Sequence, residues 1–560
     1  MGLFDGLSTG MRGLHAAQTA IDVTGQNISN ANTEGYSRKK IEQQAAAISH
    51  DMFGQIGIGV EVTGINRVRD AFLDRQTWEM LGDKGMLAEM DVAYTRLESI
   101  LREPSDDGLA AKMNEFWASW QDLANNPADL AARESVKAST SVLTDVFHSV
   151  YKQIEDYGLS MNNPLVQKVE TVNSLTGQIQ ALNEKISGME ARPGEHANDT
   201  RDERDLMVRK LSQLVDIQTV EDPNGRMIIT SGGNLLVGPT SSMKLETYGV
   251  ERVLADGTKS SELKLRFTDS GKVFAPRSGE MKGIMDARSN VLNDYLMQLN
   301  SLAKSLVTEV NAVHLQGYNL NRNTAVNFFD PTKVKANDIT LTDSILADAA
   351  NISAAENGKI AVVSTFNPAG GIPAVTAPDL DLKAVNILYR DLVSGSVQIK
   401  LSDGTILAEG AGKDYVVDYE KGVVTFLNYA RYAAGDTVSV NLSYYTTGYS
   451  GNGNGQNALL IGQLRNKKSM APGADGEPTQ SISSFYGAVV GRLGIEKNQN
   501  TSRLETKEYL IAQMDSEQAA IAGVSLDEEM ANMIKYETSY QASAKYIQTI
   551  SSMIDVLMAI

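Results

Sequence analysis

The stretch SLDEEMANMIKYETSYQASAKYIQTISSMIDVLMAI, residues 525–560, decides how the rest of the chain is read. Ser525 and Glu528 have the spacing of a capping box, which predicts a helix start. Beyond it Met533, Tyr536, Tyr540, Ile547, Ile550, Ile554 and Leu557 fall three or four residues apart, with Ser543 as the single break. That spacing lays one apolar seam along a helix. No Gly or Pro interrupts it, so the helix runs for roughly 50 Å at ~1.5 Å per residue. The sequence stops on the seam at Ile560, and a seam of this kind needs a partner.

The N-terminus offers one. Leu7, Leu14, Ile21 and Ile28 recur every seven residues, and the alternate positions Gly10, Ala17, Thr24 and Ala31 are small. Alternating large and small positions let two helices approach closely. The expectation is a pairing of the two chain ends that leaves contacts for other copies of the protein.

A chain of 560 residues is long enough for three or four domains with cores of their own. Its net charge of −18 repels phosphate backbones and anionic lipid, and no basic cluster offsets it. Nucleic acid is therefore not an expected partner. No apolar run approaches the ~18 residues of a membrane span. The opening Met1-Gly2-Leu3-Phe4-Asp5 lacks the basic and apolar regions of a secretory signal. There is no cysteine, which excludes disulfides, thiolate metal sites and a cysteine nucleophile.

Between the ends the periodicity changes repeatedly. After a turn at Asn32-Thr33-Glu34-Gly35-Tyr36, residues 41–68 read as extended or irregular. Residues 70–215 read as helices. In one of them Leu165, Val172, Leu175, Ile179, Leu182, Ile186 and Met189 follow coiled-coil spacing up to Pro193-Gly194, with Lys168 as the exception. Thr200 and Glu203 have capping-box spacing for the next. Residues 216–280 turn to period two, with hairpin signals at Asp222-Pro223-Asn224-Gly225 and Ala255-Asp256-Gly257. Helix returns from Ile284 to about Leu315. Residues 321–455 read as a β-rich insertion, with Gly448 to Gly455 as a flexible exit. The fold class is mainly α with β-rich insertions. Its nested plan has residues 1–65 and 515–560 as a terminal coiled coil and residues 66–320 and 456–514 as a helical bundle. Residues 321–455 are the inserted β domain.

Catalytic patterns are absent. His15, His50, His148, His196 and His314 show no metal-ligand spacing, so they read as surface or core residues. Asp202-Glu203-Arg204-Asp205 reads as a helix N-terminus laced with i,i+4 ion pairs rather than acid–base carboxylates. Gly451-Asn452-Gly453-Asn454-Gly455 lacks the ending of a phosphate loop, and Trp117 and Trp120 have the spacing of core residues. Nothing implies a cofactor, a metal or an enzyme.

Three stretches carry a resemblance. Asn27-Ile28-Ser29-Asn30-Ala31-Asn32-Thr33-Glu34-Gly35-Tyr36-Ser37-Arg38 resembles the N-terminal signature of the bacterial flagellar rod, hook and hook-associated axial proteins. Gly523-Val524-Ser525-Leu526-Asp527-Glu528-Glu529 resembles their C-terminal signature. Asn198 to Asp205, with Leu211 to Gly238, is similar to the hook-associated protein 1 branch of that family. The resemblance implies a structural protein that joins hook to filament by axial self-assembly. The implied partners are copies of itself in a ring, the hook protein and the next hook–filament junction protein. It also implies export through the flagellar type III apparatus. A cytoplasmic chaperone would cover the C-terminal helix at Tyr536, Tyr540, Ile547, Ile550 and Ile554. The implied assembly residues are Leu7, Leu14, Ile21, Ile28, Asn30, Gly35, Tyr36, Met533, Tyr536, Tyr540, Ile547, Ile550, Ile554 and Leu557. The alternatives are a hook protein or flagellin, and a flagellum-carried secreted enzyme whose catalytic domain is the insertion.

Overall fold

The computed structural model describes residues 3–558 apart from 47, 52–53, 58, 193–194, 368–383, 387–391, 393, 420, 428–436, 450 and 474. The helix end expected at Pro193-Gly194 and the residue Ile560 lie outside the described residues. The fold is mainly α with β-rich insertions. Its helices are α1 Leu3–Ser29, α2 Ala71–Leu101, α3 Leu109–Asn125, α4 Leu130–Ser160, α5 Asn162–Met189 and α6 Asn198–Leu214. They continue with α7 Glu280–Asp286, α8 Asn293–His314, α9 Asp343–Ala347, α10 Gln456–Gln463, α11 Ile482–Ala522 and α12 Leu526–Met558. A π-helical turn, Ala287–Leu292, stands between α7 and α8, where the period alone implies unbroken helix.

The chain forms two compact units. The first comprises Met1–Leu101, Lys152–Gln298 and Val489–Ile560. Its antiparallel hairpin, Lys39–Ala45 with Val60–Arg67, follows α1 and carries a bulge between Glu42 and Gln43. Two three-stranded sheets follow α6: Gln218–Glu221, Met227–Ser231 and Asn234–Val237, then Leu245–Val253, Lys259–Phe267 and Val273–Phe274. Both expected turns are present. Gly225 and Gly257 adopt φ of +75° and +78°, a left-handed conformation that glycine tolerates.

Helix α5 departs from the coiled coil that its spacing implies. Leu165, Val172, Leu175, Ile179, Leu182 and Ile186 are buried, and α5 packs on the shorter helix α6 and on the two sheets instead of on one helix along its whole length. Two asparagines explain the choice. Asn173 donates to Leu245 O at 2.8 Å and accepts from Leu245 N–H at 2.8 Å. Asn183 does the same with Met227, at 2.8 and 2.9 Å. Each amide makes the pair of bonds a neighbouring strand would make: Asn173 on the edge strand Leu245–Val253, and Asn183 at the Met227 end of a central strand, which the strand Asn234–Val237 does not reach. Lys168 reaches Glu280 and, at 3.1 Å, Glu89.

The second unit comprises Arg102–Tyr151 and Leu299–Ala488. Its α-helical core is aromatic. Phe116, Trp117 and Trp120 on α3 are fully buried with Phe328 and Phe329, and Trp120 meets Phe328 edge-on at 5.0 Å. The insertion folds as two small sheets. One holds Asn357–Phe366, Val438–Tyr449 and Gln398–Leu401; the other holds Ala384–Asn386, Val423–Phe426 and Tyr415–Asp418. Ile399, Leu401, Val424, Phe426, Val440 and Leu442 form its core. The glycine-rich exit is not free throughout. A Cβ on Gly455 would lie 2.1 Å from Ala124 O, so glycine there permits close contact with α3.

His314, at the end of α8, is a buried structural residue. Its Nδ1–H donates to Val326 O at 2.7 Å, which leaves Nε2 to accept from Ser353 N–H at 2.8 Å. Burial pushes its pKa down to about 4, with the hydrogen bond to Val326 opposing and the Arg133 charge assisting. A base with a depressed folded pKa contributes stability that is complete above its unfolded value, near 6.5, and is lost as pH falls toward 4. The loss reaches roughly 3 kcal/mol. Histidine-resolved NMR should find the His314 ring neutral from pH 7 to 5, while amide protection of α3 weakens below pH 6. A ring that titrates near 6.5 would contradict this.

Candidate assembly site

Helices α1 and α12 lie antiparallel, and small residues set their spacing. A Cβ added to Gly6 would lie 3.2 Å from Ile550 Cδ1, one on Gly10 2.7 Å from Ile547 Cγ1, and one on Gly13 3.0 Å from Ser543 Oγ. Ser543, the break in the apolar seam, thus faces a glycine. Further along, Asn27 Nδ2 is 3.1 Å from Glu529 Oε2. The numbers in these four pairs sum to 556 or 557, which fixes one register over the length of α1.

Burial is uneven across the pair. On α1, Gly6, Gly10, Ala16, Ala17, Ala20, Val23, Thr24 and Asn27 are buried, while Leu7, Leu14, Ile21 and Ile28 are half-buried. On α12 only Glu529 is buried among the described residues. Met533, Tyr536, Ile547, Ile550 and Ile554 are half-buried; Tyr540 and Leu557 remain 36% and 60% exposed. A partner made of Gly and Ala covers little area, so the α12 seam is incompletely satisfied by α1.

At the start of α12 three distant stretches converge on a buried polar cluster. Glu529 accepts from Asn27 Nδ2, from Arg38 Nε at 2.8 Å and from Arg38 Nη2 at 2.7 Å. Asn27 Oδ1 accepts from Tyr36 OH and from Lys39 N–H, both at 2.9 Å. Asp202 on α6 accepts from Ser37 N–H at 2.9 Å and Ser37 Oγ at 2.7 Å. Arg67 bridges Asp202 at 3.0 Å and Asp205 at 2.7 Å, and Lys39 meets Asp199. Arg69 clamps Asp74 through two bonds, at 2.6 and 3.1 Å. Gly35, at φ +81°, brings the loop against Leu206. Asn30 is half-buried and holds the turn by donating to Gln26 O at 3.0 Å and accepting from Thr33 Oγ1 at 3.1 Å.

Sequence reasoning placed Gly35 and Tyr36 here but missed Asn27, Arg38, Glu529 and the acid–base face of α6. The available signal was Asp199, Asp202 and Asp205 at three-residue spacing, which puts three carboxylates on one helical face. Two sequence expectations need correction. The ion pairs of the Asp202–Asp205 segment are not mainly internal to the helix. Asp202 and Asp205 pair with the hairpin, Arg201 with Glu190 and Glu221, and Arg204 donates to Gly225 O. Thr200 and Glu203 are not a capping box. Helix α6 starts at Asn198 with no side-chain cap, which places Thr200 inside its first turn, and Glu190 Oε1 accepts from Ala197 N–H at 3.0 Å. The Ser525 box is half formed. Ser525 Oγ accepts from Glu528 N–H at 3.4 Å, and Glu528 turns to Arg38 at 2.9 Å.

The cluster binds rather than reacts. Burial and the carboxylates of Asp199, Asp202 and Glu529 push the Tyr36 hydroxyl up to about 12, so it stays a hydrogen-bond donor. Burial raises Asp205, but Arg67, Arg204 and Arg69 outweigh it and hold its carboxyl below the usual range. Among the described residues no group of His, Asp and Glu is placed to hold a metal ion, and no helix is long and apolar enough to cross a membrane.

Removing one partner of a buried ion pair costs about 3–5 kcal/mol. Glu529→Ala should lower the opening free energy of the first turns of α12 by an amount of that order, read by hydrogen exchange. Unchanged protection would show that the cluster does not hold the helix. Gly10→Val should separate the helices at Ile547, with about 1–3 kcal/mol lost to overpacking, and speed exchange in α1.

These two features coincide with the family matches. A model for flagella basal body rod proteins matches residues 7–36, one for the flagellar hook-associated protein FlgK helical domain matches 94–329, and one for the flagellar basal body rod FlgEFG C-terminus matches 519–560. Flagellar hook-associated protein 1 of Bacillus subtilis is 26% identical, over 99% of this chain and 97% of that protein. The Escherichia coli protein of the same name is 25% identical over 99% of both. The flagellar hook junction protein FlgK from Burkholderia pseudomallei has a similar fold, with a TM-score of 0.57 at 20% identity over 80% of this chain and 100% of that one. With matches at both helical ends and through the domain between them, the chain is similar over nearly its whole length to flagellar hook-associated protein 1, a structural protein of the bacterial flagellum.

Proposed function

We propose that this chain is the adaptor that joins hook to filament, and that it acts by axial self-assembly through its paired ends rather than by catalysis. The observation that carries this is the uncovered seam of α12, which α1 alone does not satisfy. An adaptor needs unlike neighbours at its two faces, here the hook protein and the next junction protein, with copies of itself completing a ring. In this reading residues 1–65 and 515–560 form the inner tube, residues 66–320 and 456–514 a second shell, and residues 321–455 the outer surface. The assembly contacts are Leu7, Leu14, Ile21 and Ile28 on α1 and Met533, Tyr536, Tyr540, Ile547, Ile550, Ile554 and Leu557 on α12. Asn30, Gly35 and Tyr36 shape the loop between α1 and the hairpin.

Export follows the flagellar type III route in this proposal, with a cytoplasmic chaperone covering Tyr536, Tyr540, Ile547, Ile550 and Ile554 until then. Ordering each residue of a free end costs ~1–2 kcal/mol in backbone entropy, and a Gly/Ala face returns little of it. The ends should therefore loosen in the free chain and order on assembly. Limited trypsin digestion of monomer should cut first near Arg12 and Lys545. Arg38 should be slower, since Glu528 and Glu529 hold it. Full protection of Arg12 and Lys545 in a monomeric sample would contradict the idea. A deletion strain viewed by electron microscopy should show completed hooks, with flagellin lost to the medium. Filaments that stay attached would rule out the adaptor role.

A further inference from the structure

The loop Gly451-Asn452-Gly453-Asn454-Gly455 takes no part in the assembly site, yet it holds two of the four Asn-Gly pairs in the chain; the others are Asn224-Gly225 and Asn357-Gly358. In an Asn-Gly pair the backbone nitrogen readily attacks the preceding side chain, because glycine has no Cβ to crowd it. The attack requires a free Asn side chain, an open Gly nitrogen and a backbone able to rotate.

The fold withholds these from three of the pairs. The Gly225 N–H donates to Asp222 O at 3.0 Å, and Arg204 donates to Gly225 O at 2.7 Å. Asn357 and Gly358 are paired with Tyr449 and Gly448 in an antiparallel ladder of the insertion. Asn454 Oδ1 accepts from Gln456 N–H at 2.8 Å and from Glu356 N–H at 3.4 Å, and Gly455 is packed against Ala124 O.

Asn452-Gly453 carries no such lock. The two residues form the middle of a turn closed by Asn454 N–H, which donates to Gly451 O at 3.1 Å. Both are exposed, and among the described residues the Asn452 side chain has no hydrogen-bond partner. A Cβ on Gly453 would meet nothing within 4 Å, and its φ lies outside the left-handed region.

We propose that Asn452 is a site of spontaneous deamidation and isoaspartate formation. Gly453 N bonds to Asn452 Cγ, its proton passes through water to Nδ2, the Cγ–Nδ2 bond breaks and ammonia leaves. Water then opens the cyclic succinimide. Opening at the Asn452 backbone carbonyl gives isoaspartate, with the main chain rerouted through Cβ and Cγ; opening at Cγ gives aspartate. The sum is amide plus water to acid plus ammonia, with no oxidant, cofactor or partner chain. Either product adds a negative charge to the turn that leads into α10. Nothing in the chain reverses the step, so the product accumulates with the age of each molecule.

Full-length folded protein is incubated at mildly alkaline pH and digested with trypsin beside a sample taken at time zero. Fragment-resolved mass spectrometry then compares the four sites. Asn452 should convert at least about tenfold faster than Asn224, Asn357 and Asn454, since each of those must first give up hydrogen bonds. In urea the four rates should converge. Gly453→Ala, which the open space around the turn accommodates, should slow conversion at Asn452 without lowering the melting temperature. An Asn452 that keeps its amide in the folded chain, or converts no faster than the other three, would overturn the proposal. So would a ranking that persists in urea, because the fold would then not be what selects the site.

Discussion

The carboxylate of Glu529 is the point on which the two ends of this chain depend. It is 2% exposed and is held by Asn27 from α1 and Arg38 from the loop beyond it. Asn27 in turn accepts from the Lys39 amide, where the hairpin begins. The neighbouring Ser37 passes the connection to Asp202 on α6. One side chain thus links the last helix to the first, and through the loop to the body of its unit. Leaving it unpaired would place a charge in a site with little water, the situation that costs most in a protein interior.

The apolar contact between α1 and α12 could not do this alone. Gly6, Gly10, Gly13, Ala17 and Ala20 let the backbones approach closely, but a face of small residues looks much the same after a shift of one or two turns. Dispersion contacts against it change little with such a slip. A hydrogen-bonded charge changes a great deal, because no other position on α1 offers Asn27 together with Arg38. The polar cluster therefore supplies register, and the small residues supply proximity. This division resembles the coiled coils in which one buried polar residue fixes the alignment that the apolar seam leaves open.

The sequence was legible where periodicity and turn chemistry act alone. The terminal helices, both Asp/Asn–Gly hairpins and the β-rich character of the insertion follow from spacing. It was less legible where a side chain serves a distant backbone. Asn173 and Asn183 bind α5 to the backbone of two sheets, and no periodicity shows that. Thr200 has capping-box spacing, yet α6 begins at Asn198 and Thr200 falls within its first turn. The assembly residues were read as large apolar positions, whereas on α1 the small ones between them are the more buried. Gly455 was read as linker because spacing carries no information about Ala124, more than three hundred residues earlier.

The same economy explains why α12 can remain so apolar on its outer sides. A helix fixed at its N-terminal end by charge does not need a fully buried seam to hold its position. Its other faces are free to carry apolar residues that a self-contained fold would have to cover. Exposed apolar area of that kind is a liability in a free chain and an asset in a stack. Holding α12 by a polar anchor at one end, with a thin apolar contact along its length, keeps it aligned while leaving most of its surface uncovered by α1. A larger α1 seam with Leu or Ile at Gly6, Gly10 and Gly13 would push α12 away and unseat Glu529. Glycine at those positions and glutamate at 529 are therefore two parts of one constraint.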